Sequence, residues 1–311
     1  MMPMNANRGS CVESLEGRLL LDGQPTDISL HVPAKMYEGR AVVIPTTQPA
    51  GYAERIRYWD IVWGDGTTTT KWRGNTPLQH VYTLFGMYPA EVTGTRRNGE
   101  VVQFSFFADV ANVKPAPKIV AFAAAVPNQP VTFIFDPGDS APKDTLLVSW
   151  NIVGKEGLPY TPASESEAQS VTYTFLKPGT YRINMLTRDS GELVGNTSRT
   201  IRIAPVVEQP DAANPSLTNL VVGGTDGNDI ITFRDRWSAV EVFLNGHSYG
   251  TFTPSGKLIA FGGAGNDVIA ADATIDNDTL FYGGDGNDTL AGGAGTNQLF
   301  GGAGINKIIQ P

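Results

Sequence analysis

The chain has 311 residues, 41% of them hydrophobic, with 35 Gly, 21 Pro and a formal net charge of −8. That length allows two or three domains, and the acidic balance disfavours nucleic acid or an anionic membrane as partner. One cysteine, Cys11, excludes an intramolecular disulfide and a cysteine-based metal site, and no apolar run approaches the roughly 18 residues of a membrane span.

In residues 1–25 the best apolar run is Leu19-Leu20-Leu21, well short of the about 7–15 residues of a signal-peptide core. No apolar segment precedes Cys11, which argues against a lipoprotein. Leu15-Glu-Gly-Arg-Leu-Leu-Leu21 is similar to LEPR-XLL, a short motif near the N-terminus of large surface or exported bacterial proteins. Leu15, Glu16, Arg18, Leu20 and Leu21 match, and Gly17 stands where the motif has proline. The resemblance implies a targeting or unstructured segment.

From residue 26 the text is strand-like. Residues 56–63 (IRYWDIVW) are β-branched and aromatic and stop at Gly64-Asp65-Gly66. VTFIF (131–135), LLVSWNIV (146–153), SVTYTF (170–175) and TYRINML (180–186) alternate in the same way, with DPGD, KEG and KPG between them. No stretch of ten residues carries a helical period. Short strands spaced by turns predict two antiparallel β-sandwiches, at 26–113 and 118–204. Prolines in 113–118 and in 205–217 predict extended linkers.

The two sandwich segments echo each other. The first reads WGDGT (63–67), His80-Val-Tyr82 and Gly86-Met-Tyr88. The second reads VSWNI (148–152), Thr172-Tyr-Thr-Phe175 and Pro178-Gly-Thr-Tyr181. This resembles the PKD family of immunoglobulin-like modules, although the second copy lacks GDG. The resemblance implies spacer or binding modules on an extracellular protein. Trp59, Ile61 and Trp63 fall on one side of a strand, as core residues do. Trp72 completes the aromatics weighed as a carbohydrate face.

Residues 218–311 hold ten of the acidic and four of the basic residues, so the negative charge concentrates there. GGAGNDVIA (262–270), GGDGNDTLA (283–291), GGAGTNQLF (292–300) and GGAGINKII (301–309) share one frame, and GTDGNDIIT (224–232) fits it. Glycine at places 1, 2 and 4 lets a six-residue turn adopt dihedrals that a Cβ forbids. Asp at place 6 supplies a hard oxygen, and Ca²⁺ takes 6–8 of these. An aliphatic residue at place 8 (Ile231, Ile269, Leu290, Leu299, Ile308) argues against a flexible Gly-rich linker. The pattern resembles the RTX, or hemolysin-type, calcium-binding repeats. That implies a parallel β-roll over 218–311, and an all-β chain of two sandwiches followed by the roll.

If 271–278 is an irregular loop of the opposite side, loop 262–267 stacks against 283–288, and that against 301–306. Asp267 and Asp288 are then the carboxylate ligands, with carbonyls of Gly263, Gly265, Gly284 and Gly286. Asp285 is a further candidate, Asp278 a sixth-place candidate opposite 292–297, and Asp226 and Asp229 candidates in the detached fragment. Asn297 and Asn306 surrender the charge where the stack runs out. The P-loop pattern fails at Pro254-Ser-Gly-Lys257. Residues 239–261 predict a hairpin turning at Asn245-Gly246, with Tyr249 and Phe252 as packing residues.

No enzyme is expected. His31, His80 and His247 stand in no H-E-x-x-H, no G-x-S-x-G occurs, and Cys11 lacks a nucleophile's context. His80 is read as structural, and Asp60, Asp65, Asp136 and Asp139 as turn residues. A type I secretion tail is not expected after the last repeat. The expectation is a calcium-binding extracellular or cell-surface protein, structural or adhesive. Its partners are calcium ions and polysaccharide or other surface proteins, with no nucleic acid and no membrane insertion. The alternative is a carbohydrate-binding accessory protein.

Overall fold

The computed structural model describes residues 18–19, 29–31, 33, 35–44, 46–47, 56–73, 78–139, 141, 143–153 and 170–310. Most of the LEPR-XLL-like stretch and the KEG turn at 155–157 lie outside them. Every regular element among the described residues is a strand, so the chain is all-β. It divides into two compact units. One runs to Ala116 and adds 138–146 and 188–195; the other comprises 117–137, 147–187 and the remainder from Asn196.

The first unit holds β1 (Arg18–Leu19), β2 (Ser29–His31), β3 (Met36–Tyr37), β4 (Ala41–Ile44), β5 (Thr46–Thr47), β6 (Ile56–Val62), β7 (Thr68–Trp72), β8 (Leu78–Val81), β9 (Gly86–Arg96) and β10 (Val101–Ala111). A five-stranded sheet in the order β3-β10-β9-β6-β7 shares one core with the pair β4-β8. Trp59, Ile61 and Trp63 are buried in that core with Tyr82, and Trp72 packs on it half-buried. Alternation along β6, continued to Trp63, has therefore placed the Trp59 and Trp63 rings in the interior, away from the surface.

The GDG turn is held by Asp65. Its Oδ1 accepts the Thr67 N–H at 3.0 Å and the Thr67 hydroxyl at 2.6 Å, and its Oδ2 lies 2.9 Å from Nε2 of His80. His80 stacks on Trp63 at 4.2 Å, so this histidine is a packing residue.

The second unit begins with β11 (Lys118–Val120), β12 (Ala124–Ala125), β13 (Pro130–Asp136), β14 (Leu147–Val153), β15 (Ser170–Thr174), β16 (Gly179–Arg188) and β17 (Val194–Ile203). Sheets β11-β13-β15 and β12-β17-β16-β14 close over Phe133, Phe135, Phe175, Ile183 and Ile201. Strict alternation in β13 buries Val131, Phe133 and Phe135 and exposes the residues between. Tyr88 in the first unit and Tyr181 here donate their hydroxyls to carbonyls four residues upstream, those of Leu84 and Lys177, at 2.8 and 2.9 Å. The two sandwiches share that device.

Then follow β18 (Val206–Pro210), β19 (Thr218–Gly223), β20 (Ile230–Asp235), β21 (Val240–Leu244), β22 (His247–Phe252), β23 (Leu258–Ala264), β24 (Val268–Ala271), β25 (Thr279–Asp285), β26 (Thr289–Ala291), β27 (Asn297–Ala303) and β28 (Lys307–Ile309). β18 lies where the sequence suggests only a linker. Proline keeps the segment extended, and β19 offers an edge with which it pairs antiparallel. From β23 to β28 the chain alternates between two sheets, β18-β19-β23-β25-β27 and β22-β21-β20-β24-β26-β28. β19, β23, β25 and β27 pair in parallel, as do β20, β24, β26 and β28. The β21–β22 hairpin turns at Asn245 and Gly246, with φ of 52° and 78°.

Between the sheets lie Leu220, Leu258 and Phe281 from one side and Ile231, Ile269 and Leu290 from the other, all fully buried. Leu299 packs half-buried on this core. Ile308 is 43% exposed, because β28 is the edge of its sheet.

Candidate metal centre

Parallel pairing dictates which loops meet. Gly263 stands opposite Gly284, and Gly284 opposite Gly302. Loops 262–267, 283–288 and 301–306 therefore stack on one rim. The fragment joins them, since Ile231 pairs with Ile269 and loop 224–229 lies beside 262–267. Gly284 and Gly286 have φ of 113° and 130°, and a Cβ on either would collide with the carbonyl of Gly263 or Gly265. Gly263 and Gly265 adopt the same region, at 119° and 114°. Glycine is required here because backbone packs directly on backbone carbonyl oxygen.

Two side-chain ladders run through the stack in opposite directions. At place 6 the N–H of Asp229 donates to Oδ1 of Asp267, that of Asp267 to Oδ1 of Asp288, and that of Asp288 to Oδ1 of Asn306, at 2.7–2.8 Å. At place 5 Asn228, Asn266 and Asn287 accept from the N–H groups of Asn266, Asn287 and Ile305, each at 2.7 Å. Residue-type reasoning on glycine and Asp passes over this second ladder. Its signal was present in the Asn-Asp pair of three repeats.

The loops themselves show what an Asp lacks and an Asn has. Asn306 donates Nδ2 to the Gly302 carbonyl at 3.1 Å, and Asn297 to that of Gly293 at 2.8 Å, so each closes its own loop. Asp267 and Asp288 hold the same place with an oxygen where asparagine has its NH₂ group. Both are 1% exposed, and each has its Oδ2 buried without a hydrogen-bond partner. A Cβ on Gly262 would strike Oδ2 of Asp267 and the Gly283 carbonyl, and one on Gly283 would strike Oδ2 of Asp288 and the Gly301 carbonyl. Carboxylate and carbonyl oxygens thus converge in each cradle. Burial pushes the Asp267 carboxyl up to about 6; the Asp229 N–H opposes this, and the Asp229 and Asp288 carboxylates add to it. Oxygen-only donors around an uncompensated buried carboxylate fit a hard cation.

The remaining candidates are placed differently. Asp229 is 1% exposed but fully engaged: Oδ2 takes the Thr225 N–H at 2.6 Å and its hydroxyl at 3.0 Å, and Oδ1 takes Nδ2 of Asn245 at 2.6 Å. Threonine at place 2 adds a hydroxyl donor that glycine lacks. Asp226 and Asp285 are exposed on the loops. Asp278 does not take place 6. Thr279 pairs with Asn297 and donates its hydroxyl to Oδ1 of Asn297 at 2.6 Å, whereas Asp278 accepts the Thr296 N–H at 2.9 Å. The longer excursion of 271–278 shifts the count by one, so Asp278 plays the place-5 part.

In the first unit, carboxylate oxygens of Glu38, Asp139 and Asp144 lie within 4.8 Å of one another. Glu38 is wholly buried and accepts the N–H groups of Phe85 and Val113 at 2.8 and 2.7 Å. Burial raises its carboxyl's pKa, these donors oppose the shift, and the two aspartates add to it. Residues a hundred positions apart gave the sequence no means to mark this cluster. Asp139 also caps its own turn, accepting the Ala141 N–H at 2.8 Å.

No protein-family model and no curated protein matches the chain. Among solved structures, fibronectin(III)-like modules of CbhA from Clostridium thermocellum are 14% identical with a TM-score of 0.22, over 57% of this chain and 92% of theirs. Escherichia coli alpha-2-macroglobulin activated by porcine elastase is 14% identical with a TM-score of 0.23, over 71% of this chain and 26% of its own. Scores of this size carry no functional argument. Among the described residues no helix is long and apolar enough to cross a membrane.

Proposed function

We propose that the stacked glycine loops bind Ca²⁺ through Asp267 and Asp288, and that the chain is a calcium-stabilised extracellular or cell-surface protein of structural or adhesive kind, not an enzyme. In this reading 218–311 is an RTX-type β-roll carried behind two PKD-like modules. The observation that carries it is the contrast within one stack: the Asn306 side chain closes its loop, while Asp267 and Asp288 each leave a buried oxygen without a donor. A bound cation would offset that charge, and its binding free energy would add to the stability of the folded loops. Affinities of about 10⁻⁴–10⁻³ M, usual for extracellular modules, suit calcium outside a cell.

The test is thermal unfolding and calorimetric titration of the full chain, from chelator into millimolar Ca²⁺. The wild-type chain is expected to gain about 1.4 kcal/mol per site once Ca²⁺ exceeds Kd about tenfold. In Asp267→Asn/Asp288→Asn each new amide can close its loop as Asn306 does. That variant should be more stable than wild type in chelator and indifferent to Ca²⁺. A wild-type chain that ignores Ca²⁺, or a double variant that keeps the full response, would refute the assignment.

A further inference from the structure

The turn Pro127-Asn128-Gln129 belongs to the second sandwich, yet the Asn128 side chain ends on the glycine loops. Asn128 has φ of 65° and is fixed by its N–H, which donates to the Phe175 carbonyl at 2.8 Å. Its Nδ2 lies 3.2 Å from the carbonyl oxygen of Gly224, 3.3 Å from that of Thr225 and 3.1 Å from that of Gly262. These are places 1 and 2 of the first loop and place 1 of the second. Gly223 lies so close to Pro127 that a Cβ would overlap the Pro127 carbonyl. Gln129 and Gln209 pair amide to amide at 3.0 Å, both buried, and Gln209 also donates to the Ala124 carbonyl at 2.8 Å.

An amide nitrogen carries two hydrogens, and here three carbonyl oxygens converge on it. Oxygens gathered in excess of the available hydrogens are the surroundings of a hard cation, for which the NH₂ group is an uncharged substitute. Asn297 and Asn306 make the same substitution inside their own loops, each toward a place-2 carbonyl. At the Asn128 end the nearby carboxylate is unavailable to a cation, because Asp229 is committed to Thr225 and Asn245. We propose that the carbonyls of Gly224, Thr225 and Gly262 form a cation position which this chain fills with the Asn128 amide. The second sandwich then closes the first end of the stack without metal. Asn306 closes the other end, and only the interior carboxylates are left open. This rests on carbonyl geometry, independently of whether Asp267 and Asp288 hold Ca²⁺.

Two full-chain variants test it by melting in chelator and in millimolar Ca²⁺, with calorimetric counting of bound ions. Asn128→Asp aims a carboxylate at three carbonyls. In chelator its midpoint should fall by about 2–4 °C or more; in Ca²⁺ it should return to the wild-type value with one ion more than wild type. Asn128→Gly keeps the left-handed backbone and loses the amide. It should melt below wild type by a similar margin in both conditions, with no added ion. An Asn128→Asp chain that stays depressed in Ca²⁺ without an extra ion overturns the proposal, as does an Asn128→Gly chain that melts like wild type. If wild type takes up no Ca²⁺ while Asn128→Asp takes one, the Asn128 assignment stands and the Asp267/Asp288 reading falls. Two ions in wild type with no gain in Asn128→Asp give the reverse.

Discussion

A glycine can be demanded by its dihedral alone or by what lies where its side chain would be. Gly99 has φ of 90° with open space around an added Cβ, whereas Gly284 has φ of 113° with the Gly263 carbonyl in the way. Gly99→Ala should cost on the order of 1–2 kcal/mol, the penalty of a left-handed L-residue. Gly284→Ala adds a steric overlap that only separation of two paired loops relieves, and should exceed about 4 kcal/mol. Chemical denaturation of both variants in chelator checks the ranking; equal costs would show that the loops are not packed carbonyl on carbonyl. The same distinction separates Asp from Asn at place 6. One atom exchanged, oxygen for NH₂, decides whether a loop closes on itself or keeps an unpaired buried oxygen.

At the scale of strands, place 8 of the repeat is an inward position only where a neighbouring strand covers it. Ile269 and Ile308 share a sheet and a register, yet Ile269 is fully buried and Ile308 is 43% exposed. Ile269→Ala should therefore cost about 2–5 kcal/mol, and Ile308→Ala no more than about 0.5 kcal/mol. Urea midpoints of the two variants, measured in Ca²⁺, decide it. Much of this arrangement was legible in the sequence, because period-2 alternation marks buried faces and the nine-residue frame marks which loops meet. That Asp267 and Asp288 sit at equivalent places of adjoining loops followed from that frame. What stayed hidden depended on register or on distant partners. Asp278 was misplaced by one residue because loop length does not announce strand pairing. Asp229 reads like the other place-6 carboxylates until Thr225 and Asn245 are seen to satisfy it. Asn128 lies outside the repeat, some hundred residues before the loops it meets, so no local pattern marks it. β18 was hidden for the opposite reason: its prolines describe an extended chain truthfully but say nothing of the edge it meets.

For the whole molecule, the first unit has a core of its own and should respond to protons through a pair of groups set apart from the candidate metal centre. There, burial lowers the pKa of His80, and its Asp65 partner offsets this only in part. Burial would raise the pKa of Asp65, but the Thr67 donors and His80 outweigh it and hold the carboxyl below its usual range. Both groups therefore bind protons more tightly in the unfolded chain, so stability falls as pH falls. The His80 contribution is lost below its unfolded pKa of about 6.5, and that of Asp65 follows below about 3.9. With Ca²⁺ held saturating, acidification from neutrality should lower one melting transition well before carboxylates in general titrate. His80→Gln, which removes the titrating ring, should flatten that dependence at pH 5–7 and leave the Ca²⁺-sensitive transition unmoved. Changing Ca²⁺ at neutral pH should do the converse, shifting only the transition of the unit that holds Asp267 and Asp288. Differential scanning calorimetry over a grid of pH and Ca²⁺ reads both at once. A single transition that moves with both ions would mean that the two units unfold as one, and a slope in His80→Gln equal to wild type would remove His80 as its source.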